Sequence, residues 1–232
     1  MDTEKRRAAL IDMDGVLYDS MKYHTLAWRQ MMGEYGLDIP RDEFYLYEGM
    51  TGAATIDLIW EREFGKKCDP GQIERMYHRK TEIFKELGRK ERMAGADRML
   101  ETFRSAGWER VLVTGSSQAS LLDMIESDYP GAFGEGMRVT ARDVRLGKPS
   151  PEPYLKGASL AGVSPERCIV VENAPLGVRA GKAAGCLTVA VTTGPIPRET
   201  FEKEDADMIF NNMGEFADSL PGLIQSLEAG SK

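Results

Sequence analysis

Two carboxylates stand two residues apart directly after an apolar run near the start of the sequence. The run is Ala8–Ile11, Asp12 and Asp14 follow it, and Gly15 comes next. An apolar run that ends near a glycine is typical of a buried parallel strand that leaves its sheet through a tight turn. Because residues two apart on an extended chain point the same way, both carboxylates can face one reaction centre. The alternative is a strand that simply ends in an Asp-Gly turn.

Two later segments carry groups that can bind a phosphate. A second apolar run ends at Thr114, Gly115 and Ser116, whose hydroxyl and backbone N–H groups can cradle an anion ahead of a helix. Lys148 stands in a Gly-Lys-Pro sequence, which holds its ammonium near the start of the next helix. Each segment alone is a common loop, so the prediction depends on their joint occurrence with the aspartates.

A third apolar run begins at Cys168 and ends in an acid and an amide, Glu172 and Asn173. Both side chains offer oxygen atoms of the kind that a hard divalent cation binds. The carboxyl edge of an open α/β sheet is where such sheets bind their ligands. The polar groups at the ends of these strands are therefore expected at one edge of the sheet.

The pattern of apolar residues predicts a doubly wound, Rossmann-like α/β fold that carries a helical insertion. Helical periodicity appears in three stretches, 24–32, 55–64 and 72–87. Strands are predicted at 110–113, 168–171, 187–191 and 208–210. We assign residues 1–18 and 93–228 to the parallel-sheet core and 19–92 to the helical insertion. Residues 229–232 are predicted to be a disordered tail.

In this order, the motifs resemble those of the haloacid dehalogenase superfamily. They cover residues 8–185, and the sequence Asp-Met-Asp-Gly-Val from Asp12, with Ser20 and His24 after it, is most similar to the β-phosphoglucomutase and phosphatase branch. The sequence Glu-Asn-Ala-Pro-Leu-Gly-Val from Glu172 is also typical of that branch. The resemblance implies that the helical insertion is a mobile cap that closes over the carboxylates, and we call it the cap below.

The resemblance also implies a reaction. Asp12 would attack phosphorus to form an aspartyl-phosphate, and Asp14 would protonate the leaving oxygen and then activate water. A Mg²⁺ ion would be held by Asp12, the backbone carbonyl of Asp14 and Asn173. Lys148 and Thr114 would neutralise the remaining phosphoryl oxygens.

Two adjacent positions complete the predicted metal site. Glu172 is expected to contact metal-bound water. Asn173 stands where the branch usually has an aspartate, which keeps an oxygen ligand but removes one negative charge. Metal affinity is then lower, or the site suits a more anionic complex of metal and substrate.

The cap loop at residues 47–53 departs from the β-phosphoglucomutases. Glu48 replaces their lysine, and Gly52 replaces the arginine that grips the phosphate that is not transferred. A carboxylate that faces an anion is unfavourable unless a cation lies between them. Glu48 therefore indicates a metal-bridged substrate or a site that excludes sugar phosphates, unless it faces solvent. His24 and Lys80 are the other cap residues expected at the substrate. Lys80 matches a substrate-contacting lysine of the family.

These features predict a Mg²⁺-dependent phosphohydrolase that acts on a small phosphorylated anion. Inorganic pyrophosphate is placed first, since the cap loop is similar to that of a pyrophosphatase of this branch. The alternatives are a sugar-phosphate phosphatase and a β-phosphoglucomutase. A non-catalytic phosphate-binding module is a further alternative, and Asn173 is the only departure from the family pattern that supports it. Asp14 argues against dehalogenation, because a departing halide needs no proton donor.

Composition excludes several other classes of protein. Thirty basic and 37 acidic residues give the 232-residue chain a net charge of −7 without a basic stripe, so nucleic acid is not an expected partner. Without an apolar stretch long enough for a signal sequence or a membrane span, we expect a cytoplasmic monomer. Cys68, Cys168 and Cys186 form no Cys-x-x-Cys pair, and they predict neither a disulfide framework nor a zinc site.

Overall fold

The computed structural model describes residues 6–88, 90–116 and 119–229, except for the side chains of 119–122. Its strands are β1 (Ala8–Ile11), β2 (Tyr18–Asp19), β3 (Glu91–Arg92), β4 (Glu109–Val113), β5 (Arg138–Val139), β6 (Cys168–Glu172), β7 (Leu187–Val191) and β8 (Met208–Phe210). Its α-helices are α1 (Met21–Glu34), α2 (Gly52–Phe64), α3 (Pro70–Glu86), α4 (Ala96–Ser105), α5 (Ala119–Asp128), α6 (Glu152–Ala161), α7 (Pro175–Ala183), α8 (Arg198–Lys203) and α9 (Met213–Ala229). Short 3₁₀ helices cover Arg41–Tyr45 and Pro165–Arg167.

Among the described residues, six parallel strands form the main sheet in the order β5-β4-β1-β6-β7-β8. β1 lies between β4 and β6, and its last residue, Ile11, pairs with Leu112 on one side and Val171 on the other. The chain therefore winds outward from β1 in both directions, which confirms the predicted doubly wound fold. The carboxyl end of β1 is the switch point at which such sheets bind ligands.

Alternate residues of β1 face opposite sides of the sheet and give the core three layers. Ala9 and Ile11 belong to a buried cluster that includes side chains of α4, α5 and α9. Ala8 and Leu10 belong to a second cluster, which includes side chains of α6 and α7. Complete burial of a large side chain in such a layer stabilises the fold by about 1.5–3 kcal/mol.

The cap consists mainly of α1, α2 and α3, which match the three predicted helical stretches, although α3 ends one residue before the predicted end at 87. Side-chain caps set the starts of two helices. The Thr51 side chain accepts a hydrogen bond from the Ala54 N–H at the start of α2, and the Asp69 side chain accepts one from the Gln72 N–H at the start of α3. At the end of α2, Gly65 adopts a left-handed conformation with φ 67°. The apolar faces of the three helices pack on one another and continue the larger core cluster.

A short ribbon joins the cap to the core. β2 and β3 pair in antiparallel fashion, so the chain segments that enter and leave the cap lie side by side. The Tyr129 hydroxyl donates a hydrogen bond to the carbonyl of Leu17, and the Arg92 guanidinium lies 4.7 Å from the centre of the Tyr129 ring. Tyr129 thus contacts both connections. β2 includes residues 18 and 19, on either side of the first predicted boundary, and β3 ends at residue 92, the last residue assigned to the cap.

The predicted disordered tail is wrong at its first residue, because Ala229 is the last residue of α9. The Arg7 side chain donates a hydrogen bond of 2.8 Å to the carbonyl of Leu227, and the Trp108 indole donates one to Glu228. These contacts fix the last turn of α9 on the core, which is why the helix continues. The remainder of the predicted tail, 230–232, lies outside the described residues.

Two further sequence predictions concern membranes and cysteines. Within the described part of the chain, every helix is too short or too polar to cross a bilayer. Cys68, Cys168 and Cys186 carry free, buried thiols. The monomeric state and the cytoplasmic location stay predictions.

Candidate active site

A cleft lies between the carboxyl edge of the sheet and the cap, with a cavity volume of about 60 Å³. Its core wall is formed by residues that follow β1 and β4, namely Asp12, Asp14, Thr114, Gly115 and Ser116. Its cap wall includes Trp28, Phe44, Tyr47, Glu48, Tyr77 and Lys80. The volume corresponds to roughly five water molecules.

Lys148 joins the carboxylates of Asp12 and Glu172 at the base of the site. Its ammonium donates hydrogen bonds to Asp12 Oδ1 at 2.5 Å, to the carbonyl of Val113 at 3.2 Å, and to Glu172. Burial alone would lower the pKa of Lys148, but the two carboxylates raise it above its ordinary value. Burial also raises the pKa of Asp12 to about 8, although the charge of Lys148 opposes this rise. An additional cation beside Asp12 would favour its ionised form.

Both oxygens of Glu172 are occupied by protein donors. Oε1 accepts from Lys148 and, at 2.6 Å, from the Tyr154 hydroxyl, whereas Oε2 accepts from the backbone N–H groups of Asn173 and Ala174. We therefore assign Glu172 to holding Lys148 and the turn after β6, instead of the contact with metal-bound water expected from the sequence. Tyr154 was missed in the sequence, because nothing near it distinguishes it from an ordinary residue of α6.

Asp14 lies at the end of a buried hydrogen-bonded chain. The Ser20 hydroxyl at 2.5 Å and His24 Nε2 at 3.0 Å both contact Asp14 Oδ1, and His24 Nδ1 lies 2.6 Å from Lys80 Nζ. The ammonium of Lys80 can only donate, which assigns the neutral imidazole a proton on Nε2. Burial alone would raise the pKa of Asp14, but His24 and Ser20 lower it below its ordinary value.

Lys80 lies in the cleft as predicted, but its hydrogen bond is to His24. Its ammonium is 5.1 Å from the ring centres of Trp28 and Phe84. Burial lowers the pKa of Lys80 to about 7, although the charge of Asp14 opposes this shift. Burial and then the charge of Lys80 also lower the pKa of His24. The pair can therefore hold a proton close to Asp14.

Glu48 does not face solvent. It is buried, and the Asn173 side-chain N–H donates a hydrogen bond of 2.8 Å to its Oε1. Burial, and then the charge of Asp12, raises the pKa of Glu48 well above its ordinary value. The cap thus places a third carboxylate beside those of the core, in contact with the residue that departs from the family pattern.

The donor set fits a hard divalent cation. Asn173 Oδ1 is buried and has no hydrogen-bond partner among the described residues, so an acceptor oxygen is left for another ligand. No cluster of three or more His, Cys, Asp and Glu side chains forms a metal site in the described part of the chain. A cation would therefore need mixed oxygen donors, and Asp12, the backbone carbonyl of Asp14 and Asn173 offer this combination, which suits Mg²⁺.

The cap loop passes close to the predicted phosphate-binding loop, and glycines permit the approach. A Cβ atom on Gly115 would lie 2.7 Å from the carbonyl oxygen of Gly49, and one on Gly147 would lie 2.8 Å from Thr51 Cγ2. Thr114 Oγ1 accepts a hydrogen bond of 3.0 Å from the N–H of Ser116, which closes the turn after β4. Residues 117–118, between this turn and α5, lie outside the described part of the chain.

Comparison with known proteins identifies close relatives. A solved structure of a provisionally assigned β-phosphoglucomutase from Bacteroides vulgatus is 41% identical, with a TM-score of 0.91 over 97% of this chain and 91% of that one. Hexitol phosphatase A of Escherichia coli is 29% identical over 206 residues, 88% of this chain and 90% of its own length. A β-phosphoglucomutase of Mycobacterium bovis is 30% identical over 244 residues, 91% and 92% of the two lengths.

A family model matches most of the chain and contains the whole candidate site within its limits. The match covers residues 6–185, from the residues before β1 to the turn that follows α7. This range includes all the predicted site residues, from Asp12 to Asn173. The chain therefore belongs to the haloacid dehalogenase-like hydrolase family.

Proposed function

We propose that this chain is a Mg²⁺-dependent phosphohydrolase with Asp12 as its nucleophile. The observation that carries the proposal is the pair of strand-end carboxylates in one cleft, Asp12 bound to Lys148 and Asp14 bound to Ser20 and His24. The protein's own groups leave Asp12 the more basic of the two. Bound Mg²⁺ would supply the positive charge that keeps Asp12 ionised and offsets the charge of the phosphoryl group.

The residues divide the reaction into two steps. An oxygen of Asp12 bonds to phosphorus while the bond from phosphorus to the leaving oxygen breaks, and Asp14 gives that oxygen a proton. In the second step, Asp14 takes a proton from the water that attacks the aspartyl-phosphate, and this attack frees Asp12 and inorganic phosphate. His24 and Lys80 supply the proton that Asp14 needs first, through the hydrogen bonds that join them.

Sugar or polyol phosphates are the substrate class that we place first. The named relatives are a hexitol phosphatase and β-phosphoglucomutases, which support this alternative from the sequence better than they support pyrophosphate. The first ranking of pyrophosphate, which depended on the cap loop alone, has no support from these relatives.

Hydrolysis is a better fit to the site than phosphoryl transfer between two positions of a sugar. A mutase of this branch holds a second phosphate, and the resemblance assigns that task to an arginine at the position of Gly52. Here Gly52 packs against Tyr77 without room for a side chain. Among the described residues that line the cleft, Lys80 is the only lysine or arginine. These observations support transfer to water.

Pyrophosphate is a second candidate because of one contact. Glu48 reaches Asn173 from the cap, so an additional carboxylate lies where the substrate's metal would bind. A carboxylate at this point suits a substrate that arrives as a Mg²⁺ complex. The small cavity volume also suits a compact anion.

Phosphate release by the purified protein tests the proposal. The panel contains a hexitol phosphate, glycerol phosphate, pyrophosphate and β-glucose 1-phosphate with a bisphosphate activator, each with Mg²⁺ and with a chelator. We expect many turnovers per chain on at least one substrate, and loss of turnover with the chelator. Conversion of β-glucose 1-phosphate to glucose 6-phosphate would support a mutase instead. Binding of the esters without release of phosphate from any of them would support a binding module.

A further inference from the structure

Gly52 and Tyr77 pack so closely that they define one side of the cleft. A Cβ atom on Gly52, the first residue of α2, would lie 2.0 Å from Tyr77 Cε2 and 2.1 Å from Cδ2. The φ of Gly52 lies outside the left-handed region, so its backbone conformation does not require glycine. Glycine is therefore needed at this position because the Tyr77 ring fills the space that a side chain would use.

The Tyr77 ring is held in place by other aromatic residues of the cap wall. Its centre lies 6.3 Å from that of Trp28, and Trp28 lies 6.0 Å from Phe44 in a stacked arrangement. All three line the cleft opposite the core wall. A ring confined in this way cannot move aside at low cost, because core and interface aromatics lose favourable packing when they leave their contacts.

The remaining space is small. About 60 Å³, or roughly five water molecules, suits a phosphate group with a short leaving group better than one with a six-membered sugar ring. Gly115 closes the opposite side, where it meets the carbonyl oxygen of Gly49. Removal of the Tyr77 side chain would enlarge the cleft at Gly52 without removing a carboxylate or a member of the Lys80–His24 pair.

We propose that Tyr77 determines specificity by limiting the size of the leaving group, so that this enzyme favours compact phosphates over hexose phosphates. The inference depends on the proposed phosphohydrolase function and narrows its substrate class to short polyol phosphates and similarly small anions. The ring sets the limit through its volume, and the hydroxyl is not required for it.

The test compares Tyr77→Ala with Tyr77→Phe, which keeps the ring and removes the hydroxyl. For each protein, kcat/KM is measured for glycerol phosphate and glucose 6-phosphate, and the ratio of the two values removes any general loss of activity. We expect wild type to prefer glycerol phosphate, Tyr77→Phe to keep that ratio within about twofold, and Tyr77→Ala to shift it at least tenfold toward glucose 6-phosphate. Thermal unfolding checks that each variant is folded, and Tyr77→Leu replaces the alanine variant if that one is not.

Calorimetric binding of the same two esters with Mg²⁺ separates this inference from the function on which it rests. If no substrate is hydrolysed, the proposed function fails, and the ratio of the two dissociation constants still reports the size limit. An unchanged ratio in a folded Tyr77→Ala or Tyr77→Leu variant would overturn the inference. A wild-type preference for glucose 6-phosphate would overturn it as well, while the phosphohydrolase proposal would stand.

Discussion

The two walls of the cleft are stabilised in different ways. At the base of the core wall, charged groups at the ends of β1 and β6 are fixed by short hydrogen bonds that centre on Lys148. On the cap wall, aromatic rings pack on one another, and Glu48 and Lys80 are the charged residues among them. Charged groups in fixed positions suit a reaction that is the same for every phosphate ester. The shape of an apolar wall, in contrast, can be changed by a single substitution. The difference teaches that, under the proposed function, the reaction and the choice of substrate belong to separate parts of this molecule.

Removal of the nucleophile tests the core wall most directly. We expect Asp12→Asn to lower phosphate release at least 1,000-fold, about 4 kcal/mol in the barrier, because an amide does not form the phosphoryl intermediate. The fold should remain, since asparagine preserves the size of the side chain. Phosphate release and thermal unfolding measure the two effects. A folded Asp12→Asn variant with wild-type turnover would contradict the assignment of the nucleophile.

Loss of the central ammonium should affect stability as well as activity. Lys148→Met leaves Asp12 and Glu172 buried without their cation, and we expect the free energy of unfolding to fall by about 3–5 kcal/mol. Lys182→Met is the matched control, because Lys182 pairs with Asp207 in a partly exposed position and should cost less than about 1 kcal/mol. Chemical denaturation measures both variants. Equal losses of unfolding free energy in the two variants would mean that the buried ion pairs of Lys148 stabilise the fold no more than a partly exposed pair does.

The charge of the cap wall can be tested at Glu48. Glu48→Gln preserves an acceptor for Asn173 but removes the negative charge, and we expect kcat/KM for pyrophosphate to fall about tenfold, or about 1.4 kcal/mol. The Mg²⁺ concentration needed for half-maximal rate should rise with it. Glu61→Gln, on an exposed part of α2, is the control and should leave both quantities unchanged. An unaltered Mg²⁺ requirement in Glu48→Gln would remove the argument for pyrophosphate.

The smallest effect is expected at the ribbon between the two walls. Tyr129→Phe removes the hydrogen bond to the Leu17 carbonyl, a loss of about 0.5–1.5 kcal/mol. We expect a change of a few-fold in kcat and KM together, because the bond holds one of the two connections about which a mobile cap would move. Tyr35→Phe is the control: this tyrosine directly follows the last residue of α1, and the substitution should have no such effect. Steady-state kinetics of both variants measure the effect, and equal kcat and KM changes in the two would contradict the prediction.

The sequence predicted the parts of the fold that depend on local patterns. The apolar runs of β1, β4, β6, β7 and β8 are long enough to be recognised, and so are the periodic helices of the cap. β2, β3 and β5 were missed because each has only two residues, and their pairing partners are distant in the chain. Ala229 was misassigned because the last turn of α9 is fixed at the Leu227 carbonyl by Arg7, from the opposite end of the sequence.

The candidate site follows the same rule. Asp12, Thr114, Lys148 and Glu172 were predicted because each ends a strand, follows one or stands in a recognisable motif. The contact between Glu48 and Asn173, 125 residues apart, depends on how the cap docks on the core, and no local pattern records this geometry. The position of the Tyr77 ring against Gly52 depends on the packing of two helices, which a single sequence does not reveal.

The contact of Gly49 with Gly115 has a consequence for the catalytic cycle. In this arrangement the cap loop lies directly over the turn that follows β4, with its backbone too close for any side chain between them. Under the proposed hydrolysis, inorganic phosphate would form beside this contact, and separation of the loop from the turn would widen its path of release. Product departure would then depend on a movement of the backbone, and the frequency of this movement would set an upper limit on turnover, however fast the proposed chemistry at Asp12 becomes.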